Sequence, residues 1–294
     1  MTLAAQILLA ALVALALVYI GRWIVLARRA PGAGMSTTPG LVHPGVGFVT
    51  NFFDTLGVGS FAPTTSIFKL FRLVADERIP GTLNAGHALP TVVQALIFIA
   101  VVSVDPLTLV AMIVAAVLGA WLGAGIVARL PPRAIQIGMG VALLAAATLF
   151  VLGNLELIPT GGDALALRGS TLVIAIGVNF LLGALMTLGV GLYAPCLILV
   201  SLLGMNPIAA FPIMMGSCAF LMPVAGLRFI AAGKYDRRAA IGLALGGIPG
   251  VLIAAFIVKQ LSLDWLRWLV VVVVLYAAIA MLRAALKRAS AETA

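Results

Sequence analysis

An acidic residue lies inside an otherwise apolar stretch of the chain. Asp54 belongs to TNFFDTLGVGSFAP, residues 50–63, whereas the other eight acidic residues lie in loops, at the ends of apolar runs or in the C-terminal tail. A carboxylate is costly in apolar surroundings unless it faces a cavity or has a partner, and such residues typically mark ion pathways. Burial favours the neutral form of a carboxyl group, so Asp54 is predicted to carry a coupling proton. A structural cap, or an ion pair with Lys69 or Arg72, is the open alternative.

The motif that follows Asp54 occurs twice. TLGVG at 55–59 recurs as TLGVG at 187–191, and Ala62-Pro63 recurs as Ala194-Pro195 at the same offset of 132 residues. Further along, GAWLGA at 119–124 corresponds to GGIPGV at 246–251. Two related halves in a hydrophobic chain are typical of secondary transporters. Asp54 itself has no equivalent in the second half, where Met186 occupies its place.

The elements that position these motifs are membrane helices. The chain has 294 residues, 63% hydrophobic and 9% charged, with a mean hydropathy of +1.22, which excludes an ordinary water-soluble domain. Apolar runs of about 20 residues are long enough to cross a bilayer as helices. The predicted fold class is an all-α polytopic membrane protein, with spans at 3–27, 86–104, 106–129, 133–153, 207–231, 238–258 and 264–285.

Two further segments, 42–74 and 170–203, contain the TLGVG motifs. Each is too long for one crossing and short for two, so each is predicted to be two short helices that meet at a break. A re-entrant hairpin and a pair of abbreviated spans both fit this pattern. The predicted organisation is an N-terminal helix and loop at 1–40, a first repeat at 41–155 and a second repeat at 156–294. Each repeat contains one broken unit followed by three transmembrane helices.

The distribution of basic residues predicts how the halves lie in the membrane. If the first span ends in the cytoplasm and each broken unit returns to its own side, fifteen of the 18 Lys and Arg residues are cytoplasmic. The remaining three are Arg168, Lys259 and Arg267. The same count gives the halves opposite orientations, so they are predicted to be inverted repeats. Because these basic residues form short groups at span ends, the net charge of +9 indicates topology rather than nucleic-acid binding.

The glycine breaks predict a site for a small anion. Glycines at 57, 59, 189 and 191 permit positive φ and close approach of a ligand to the backbone. Helices that begin after them would direct free N–H groups and a partial positive charge at the break. The predicted substrate-binding residues are Asn51, Thr55, Gly57, Gly59, Ser60, Thr187, Gly189, Gly191 and Tyr193. Each hydroxyl or amide could instead bond to a carbonyl one turn back.

His87 is a second proton-coupling candidate, predicted to open the span after the first broken unit; a structural hydrogen-bonding role is the alternative. Glycines 119, 123, 242, 246 and 250 are predicted to serve helix packing instead.

Other classes of function lack their sequence signatures. The chain contains no GxxxxGK[ST] loop, no HExxH and no GxSxG motif, so no enzyme activity, catalytic residue or cofactor is predicted. Cys196 and Cys218 have no paired spacing and indicate neither a disulfide nor a metal site. The expected partners are a small anion and the lipid bilayer, and the sequence leaves the oligomeric state open.

The two glycine segments resemble a known family. GVGFVTNFFDTLGVGSFAP and GVNFLLGALMTLGVGLYAPCL are similar to segments of the sulfite exporter TauE/SafE family of bacterial membrane transporters, and the resemblance extends over nearly the whole chain after residue 40. Many members carry a GxGGG-like run, where this chain has Ser60 after Gly59 and Leu192 after Gly191. The resemblance implies a secondary carrier that exports sulfite or a related organosulfonate across the inner membrane. An uncoupled anion channel and a membrane scaffold without transport are the alternatives.

Overall fold

The fold is an assembly of eleven α-helices in the part of the chain that the structure describes. The structure is a computed structural model that describes residues 3–29, 40–57, 59–157, 162–189 and 191–257, with isolated positions between 271 and 286. The helices are α1 Leu3–Arg29, α2 Val42–Thr55, α3 Phe61–Leu70, α4 Ile79–Gly86, α5 Ala88–Val101, α6 Pro106–Val127, α7 Pro132–Asn154, α8 Gly169–Met186, α9 Tyr193–Leu202, α10 Pro207–Ala231 and α11 Arg237–Ile257. The predicted all-α class is therefore confirmed.

Seven stretches within these ranges are long and apolar enough to cross a membrane. Six of them agree with predicted spans to within a few residues, apart from one N-terminal boundary. The seventh is α8, the first helix of the second broken unit. The predicted span at 264–285 falls outside the continuously described residues, as do Val58 and Val190 of the two TLGVG motifs.

The boundary that differs is that of the predicted span 86–104, which begins at Asp76. A 3₁₀ turn, Asp76–Arg78, leads into α4, where Pro80 lies in the first turn, a position that proline favours. The helix is interrupted at His87 and continues as α5. Pro90 explains this interruption, since its nitrogen cannot donate to the carbonyl four residues back. His87 therefore lies at a kink within a span rather than at its start.

Each broken unit packs on the other half of the chain. Helix α2 lies along α11, and α8 lies along α6. A Cβ at Gly119 would overlap the carbonyl oxygen of Phe180, and a Cβ at Gly246 would overlap that of Pro44. Glycines 123, 242 and 250 meet α8 or α2 in the same close way. The predicted packing role of these glycines is confirmed, because only a residue without a side chain allows the backbones to approach so closely.

The centre of the assembly is α10. In its most apolar stretch of 18 residues, 78% of the residues are buried, against 11% in the corresponding stretch of α1. Helix α10 contacts α1, α4, α5, α6 and α9. Helix α1 instead exposes large apolar side chains such as Leu3, Leu17 and Val18, as expected for a face in contact with lipid. The broken units are thus held between a buried central helix and the glycine faces of α6 and α11.

Candidate functional site

Both broken units are interrupted at their glycines, as predicted. In the first, α2 ends at Thr55 and α3 begins at Phe61, and in the second, α8 ends at Met186 and α9 begins at Tyr193. The φ angles are +92° at Gly57, +86° at Gly59 and +91° at Gly189. Residues with a side chain are strained in this left-handed region. The repeated glycines therefore make the two breaks possible.

The two breaks meet at one buried cavity. The residues that line it are Asp54, Gly59, Ser60, Phe61, Thr91, Met186, Gly191, Leu192, Tyr193, Cys218 and Met222. The set includes the last two residues before α3 and its first residue, which are Gly59, Ser60 and Phe61. It also includes the equivalent residues of α9, which are Gly191, Leu192 and Tyr193. Four pairs in it are related by the 132-residue repeat, namely 54 with 186, 59 with 191, 60 with 192 and 61 with 193. The cavity thus lies where equivalent parts of the two halves come together.

The helix N-termini give this cavity a positive polarisation. The residue before each helix, Ser60 for α3 and Leu192 for α9, makes no side-chain capping hydrogen bond. The first N–H groups of a helix have no partner within it, and they carry the positive end of its dipole. Such ends are favourable positions for an anion. The cavity has room for about one water molecule, so a sulfite ion, with its sulfur and three oxygens, requires it to open.

Asp54 lies at this cavity within a chain of hydrogen bonds. The side-chain amide of Gln94 donates to Asp54 Oδ2 at 2.8 Å and to Thr55 Oγ1 at 3.0 Å. The oxygen of the same amide accepts a hydrogen bond of 2.6 Å from Tyr193 Oη. All four side chains are buried. Gln94 on α5 therefore joins the end of α2 in the first half to the start of α9 in the second half.

Of the two alternatives for Asp54, the ion pair does not match the geometry. The structural cap does match, because the backbone N–H and the hydroxyl of Ser60, directly before α3, interact with the Asp54 carboxyl group. Lys69 instead pairs with Asp76, in the turn before α4, at 2.5 Å. Within the ranges that the structure describes, no ion pair involves Asp54. Burial without a cationic partner opposes the charged form of a carboxyl group, whereas the hydrogen bond that Gln94 donates favours it.

His87 belongs to a separate buried network. Its Nδ1 lies 2.9 Å from Asn51 Nδ2, and its Nε2 lies 3.0 Å from Thr64 Oγ1. The imidazole ring also packs against the ring of Phe61, with 5.8 Å between ring centroids. These partners are neutral, and they tie α2 and α3 to the kink between α4 and α5. The contacts match the structural alternative for His87, since His87 does not line the cavity.

The other predicted site residues divide between the cavity and its supports. Gly59, Ser60, Gly191 and Tyr193 line the cavity. Asn51 and Thr55 lie behind it, bonded to His87 and Gln94 respectively. The Thr187 hydroxyl bonds back to the carbonyl of Ala184 at 2.6 Å and lies against Gly123 of α6. Gly57 and Gly189 shape the breaks beside Phe211 and Met139.

The sequence analysis did not identify one wall of the cavity. Met186, Cys218 and Met222 form a sulfur-rich side, in which Cys218 Sγ lies 3.5 Å from Met186 Sδ. Met186 could have been found from the repeat, because it occupies the position of Asp54. Gln94 gives no comparable signal, since its bonded partners are 40 and 99 residues away in the chain. Among the residues described, no group of three His, Cys, Asp or Glu side chains is placed to hold a metal ion.

Comparison with known proteins identifies one family. The family model described as Sulfite exporter TauE/SafE matches residues 171–294, which include the second broken unit. The predicted resemblance is confirmed over these residues. Searches with the chain find no curated protein and no solved structure at a significant level. The chain is thus a multi-pass membrane protein similar to a family of transporters.

Proposed function

We propose that this chain is a secondary transporter of a small sulfur-containing anion, sulfite or a related organosulfonate, and that it moves the anion outward with a proton. The observation that carries the proposal is the meeting of two helix N-termini, one from each broken unit, at a single buried cavity. Such a site binds negative charge without a buried lysine or arginine. The match to the family supports the class of substrate.

The position of Asp54 supports a link to protons. Its carboxyl group and the anion would share one cavity, and two negative charges in close contact repel each other strongly in low-dielectric surroundings. Protonation of Asp54 removes this repulsion. Anion binding and proton binding are therefore expected to favour each other.

The linkage between anion binding and proton binding is compatible with export. A dianion that leaves together with one proton carries a net charge of minus one, and an inside-negative membrane potential favours its outward movement. The driving force is about 2.3 kcal/mol for each charge and each 100 mV. The excess of basic residues on the predicted cytoplasmic side supports a multi-pass orientation in a bacterial inner membrane with inverted halves.

The test is a flux measurement on purified protein in liposomes with imposed pH gradients and membrane potentials. Sulfite, sulfate, thiosulfate and methanesulfonate serve as substrates, and methanesulfonate separates proton coupling from the titration of sulfite itself. We expect saturable flux that depends on pH. Flux without accumulation against a gradient indicates a channel, and no flux for any of these anions indicates a scaffold.

Asp54→Asn is the decisive variant. We expect it to keep the fold and to lose the dependence of flux on pH, because the amide cannot take up the proton. The matched control is Asp105→Asn, at the start of α6 and away from the cavity. A proton dependence of Asp54→Asn that equals that of the unmodified protein contradicts the coupling role.

A further inference from the structure

We infer that Gln94 is a positioning residue that converts protonation of Asp54 into a hydrogen bond from Tyr193 to the transported anion. The inference rests on the proposed function and adds the means by which the proton and the anion are linked. It is carried by the orientation of one buried amide between a carboxyl group and a phenol.

The observed hydrogen bonds fix that orientation for an ionised Asp54. The amide nitrogen of Gln94 donates both of its hydrogens, to Asp54 Oδ2 and to Thr55 Oγ1. Thr55 Oγ1 is free to accept, because its own hydrogen goes to the carbonyl of Asn51 at 2.8 Å. The amide oxygen then points to Tyr193, whose hydroxyl hydrogen is committed to it at 2.6 Å. In this state Tyr193 cannot donate to an anion in the cavity.

Protonation of Asp54 changes which atom of the Gln94 amide can bond to it, from the nitrogen to the oxygen. A carboxylic acid has a hydrogen to donate. Gln94 already bonds to Oδ2, and the hydroxyl groups of Ser60 and Tyr193 also lie beside the carboxyl group. Rotation of the amide by half a turn brings its oxygen to Asp54 and its nitrogen to Tyr193, and Thr55 Oγ1 loses the hydrogen bond that it accepted from the amide. The phenol then accepts from Gln94, and its hydrogen is released towards the cavity that Tyr193 lines. The proton stays on Asp54, and only hydrogen bonds are exchanged.

Few other titratable groups face this network. His87, between α4 and α5, bonds to Asn51 and Thr64 and not to Asp54, Gln94 or Tyr193. Tyr193 on α9 and Cys218 on α10 share the cavity with Asp54. Helix α5 contains no charged residue, and α11 has its charged residues only at its first two positions. Lys69 of α3 is paired with Asp76, and Arg228 of α10 lies over the ring of Trp121. A pH response of the network is therefore assigned to Asp54.

The first experiment follows the switch without any anion. Infrared difference spectra of the purified full-length protein record the carboxylic acid band of Asp54 and the tyrosine C–O band during an acid titration. We expect both bands to change with the same midpoint, and the carboxylic acid band to disappear in Asp54→Asn. In Gln94→Met the carboxylic acid band should remain, whereas the tyrosine band should no longer follow it. A tyrosine band that still follows Asp54 in this variant overturns the inference.

The second experiment measures the binding of methanesulfonate, whose charge is constant over the titration. A hydrogen bond to a charged group corresponds to about tenfold in affinity, in addition to the rise that follows from the loss of repulsion when Asp54 is protonated. In Gln94→Met and in Tyr193→Phe about tenfold of the total rise should be lost, whereas the part due to lost repulsion should remain. The matched control is Gln136→Met, which removes a similar amide bond of 2.8 Å to Asp76 outside the cavity. A rise in Tyr193→Phe as large as that of the unmodified protein contradicts the inference even if Gln94→Met fails to fold.

The two experiments separate this inference from the proposed function. If no sulfur-containing anion is transported but the two infrared bands remain linked through Gln94, the proposed function fails and the switch remains. If transport is proton-dependent but the tyrosine band does not respond, the transporter remains and the switch fails.

Discussion

Substitution of Gly59 by alanine should damage anion transport more than it damages the fold. The φ angle of Gly59 is +86°, and a Cβ built there has no heavy atom within 4 Å. The cost to folding is therefore the left-handed conformation alone, about 1–2 kcal/mol. The added methyl group would enter the wall of a cavity with room for about one water molecule. We expect a folded protein whose apparent affinity for the anion falls by about tenfold or more.

Two other glycines provide the comparison. At Gly119 a Cβ would overlap the carbonyl oxygen of Phe180, so Gly119→Ala should separate α6 from α8 and cost about 1–3 kcal/mol or more. Gly177 of α8 is exposed, and a Cβ there meets nothing within 4 Å, so Gly177→Ala is the neutral control.

The assay for this series combines thermal unfolding in detergent with flux in liposomes. Gly119→Ala should lower the unfolding temperature most, Gly59→Ala should lower flux per folded molecule most, and Gly177→Ala should change neither. The reasoning is refuted if Gly59→Ala is as stable as expected and transports at the normal rate, because the break would then not form the site.

Two further predictions concern the start of α6 and the cysteines. The hydrogen bonds of the Arg168 guanidinium, 2.7 Å to each oxygen of Asp105, hold the pKa of that carboxyl well below its usual range. Their stabilisation is present above the ordinary carboxyl pKa and is lost as the pH falls through the lowered value. The difference in unfolding temperature between the unmodified protein and Asp105→Asn should therefore shrink in acid, and a constant difference contradicts this. Cys218 lines the cavity and Cys196 does not, so a small thiol reagent should modify Cys218 in the open transporter and methanesulfonate should protect it. Labelling of single-cysteine variants measures both rates, and equal, unprotected labelling places the cavity off the pathway.

The breaks could be predicted from the sequence because their cause is local. Positive φ at Gly57, Gly59 and Gly189 is a property of a single residue, and glycine is the residue that adopts it without strain. The repetition of TLGVG added independent support, since the same motif occurs at both breaks, although Gly191 does not adopt the positive φ angle of Gly59. The packing of Gly119 and Gly246 followed from the same kind of reasoning, because small residues let two backbones approach.

The partners of the site residues could not be predicted in this way. Which helix lies against α2 depends on the faces that meet in the folded chain, and the answer, α11, comes from the other half. Thr187 looked equivalent to Thr55, yet its hydroxyl bonds to Ala184 beside α6. A hydroxyl near a helix end can serve either its own backbone or a neighbour, and the sequence does not distinguish them. The kink at His87 was missed because the effect of Pro90 falls three to four residues upstream of the proline, where the Gly86 carbonyl lacks its donor.

The cavity combines a repeated scaffold with side chains that are not repeated. Positions 59 and 191 are both glycine. In contrast, Asp54 corresponds to Met186 in the repeat, and Phe61 corresponds to Tyr193, and all four of these side chains line the cavity. Two equivalent helix ends favour an anion, and they need no proton to do so. The acid comes from one half and the phenol from the other, and Gln94 bonds to both. Proton linkage would therefore reside in the differences between the halves. Asp54→Asn should leave an anion site that no longer responds to pH, and Tyr193→Phe should leave one whose response is weaker.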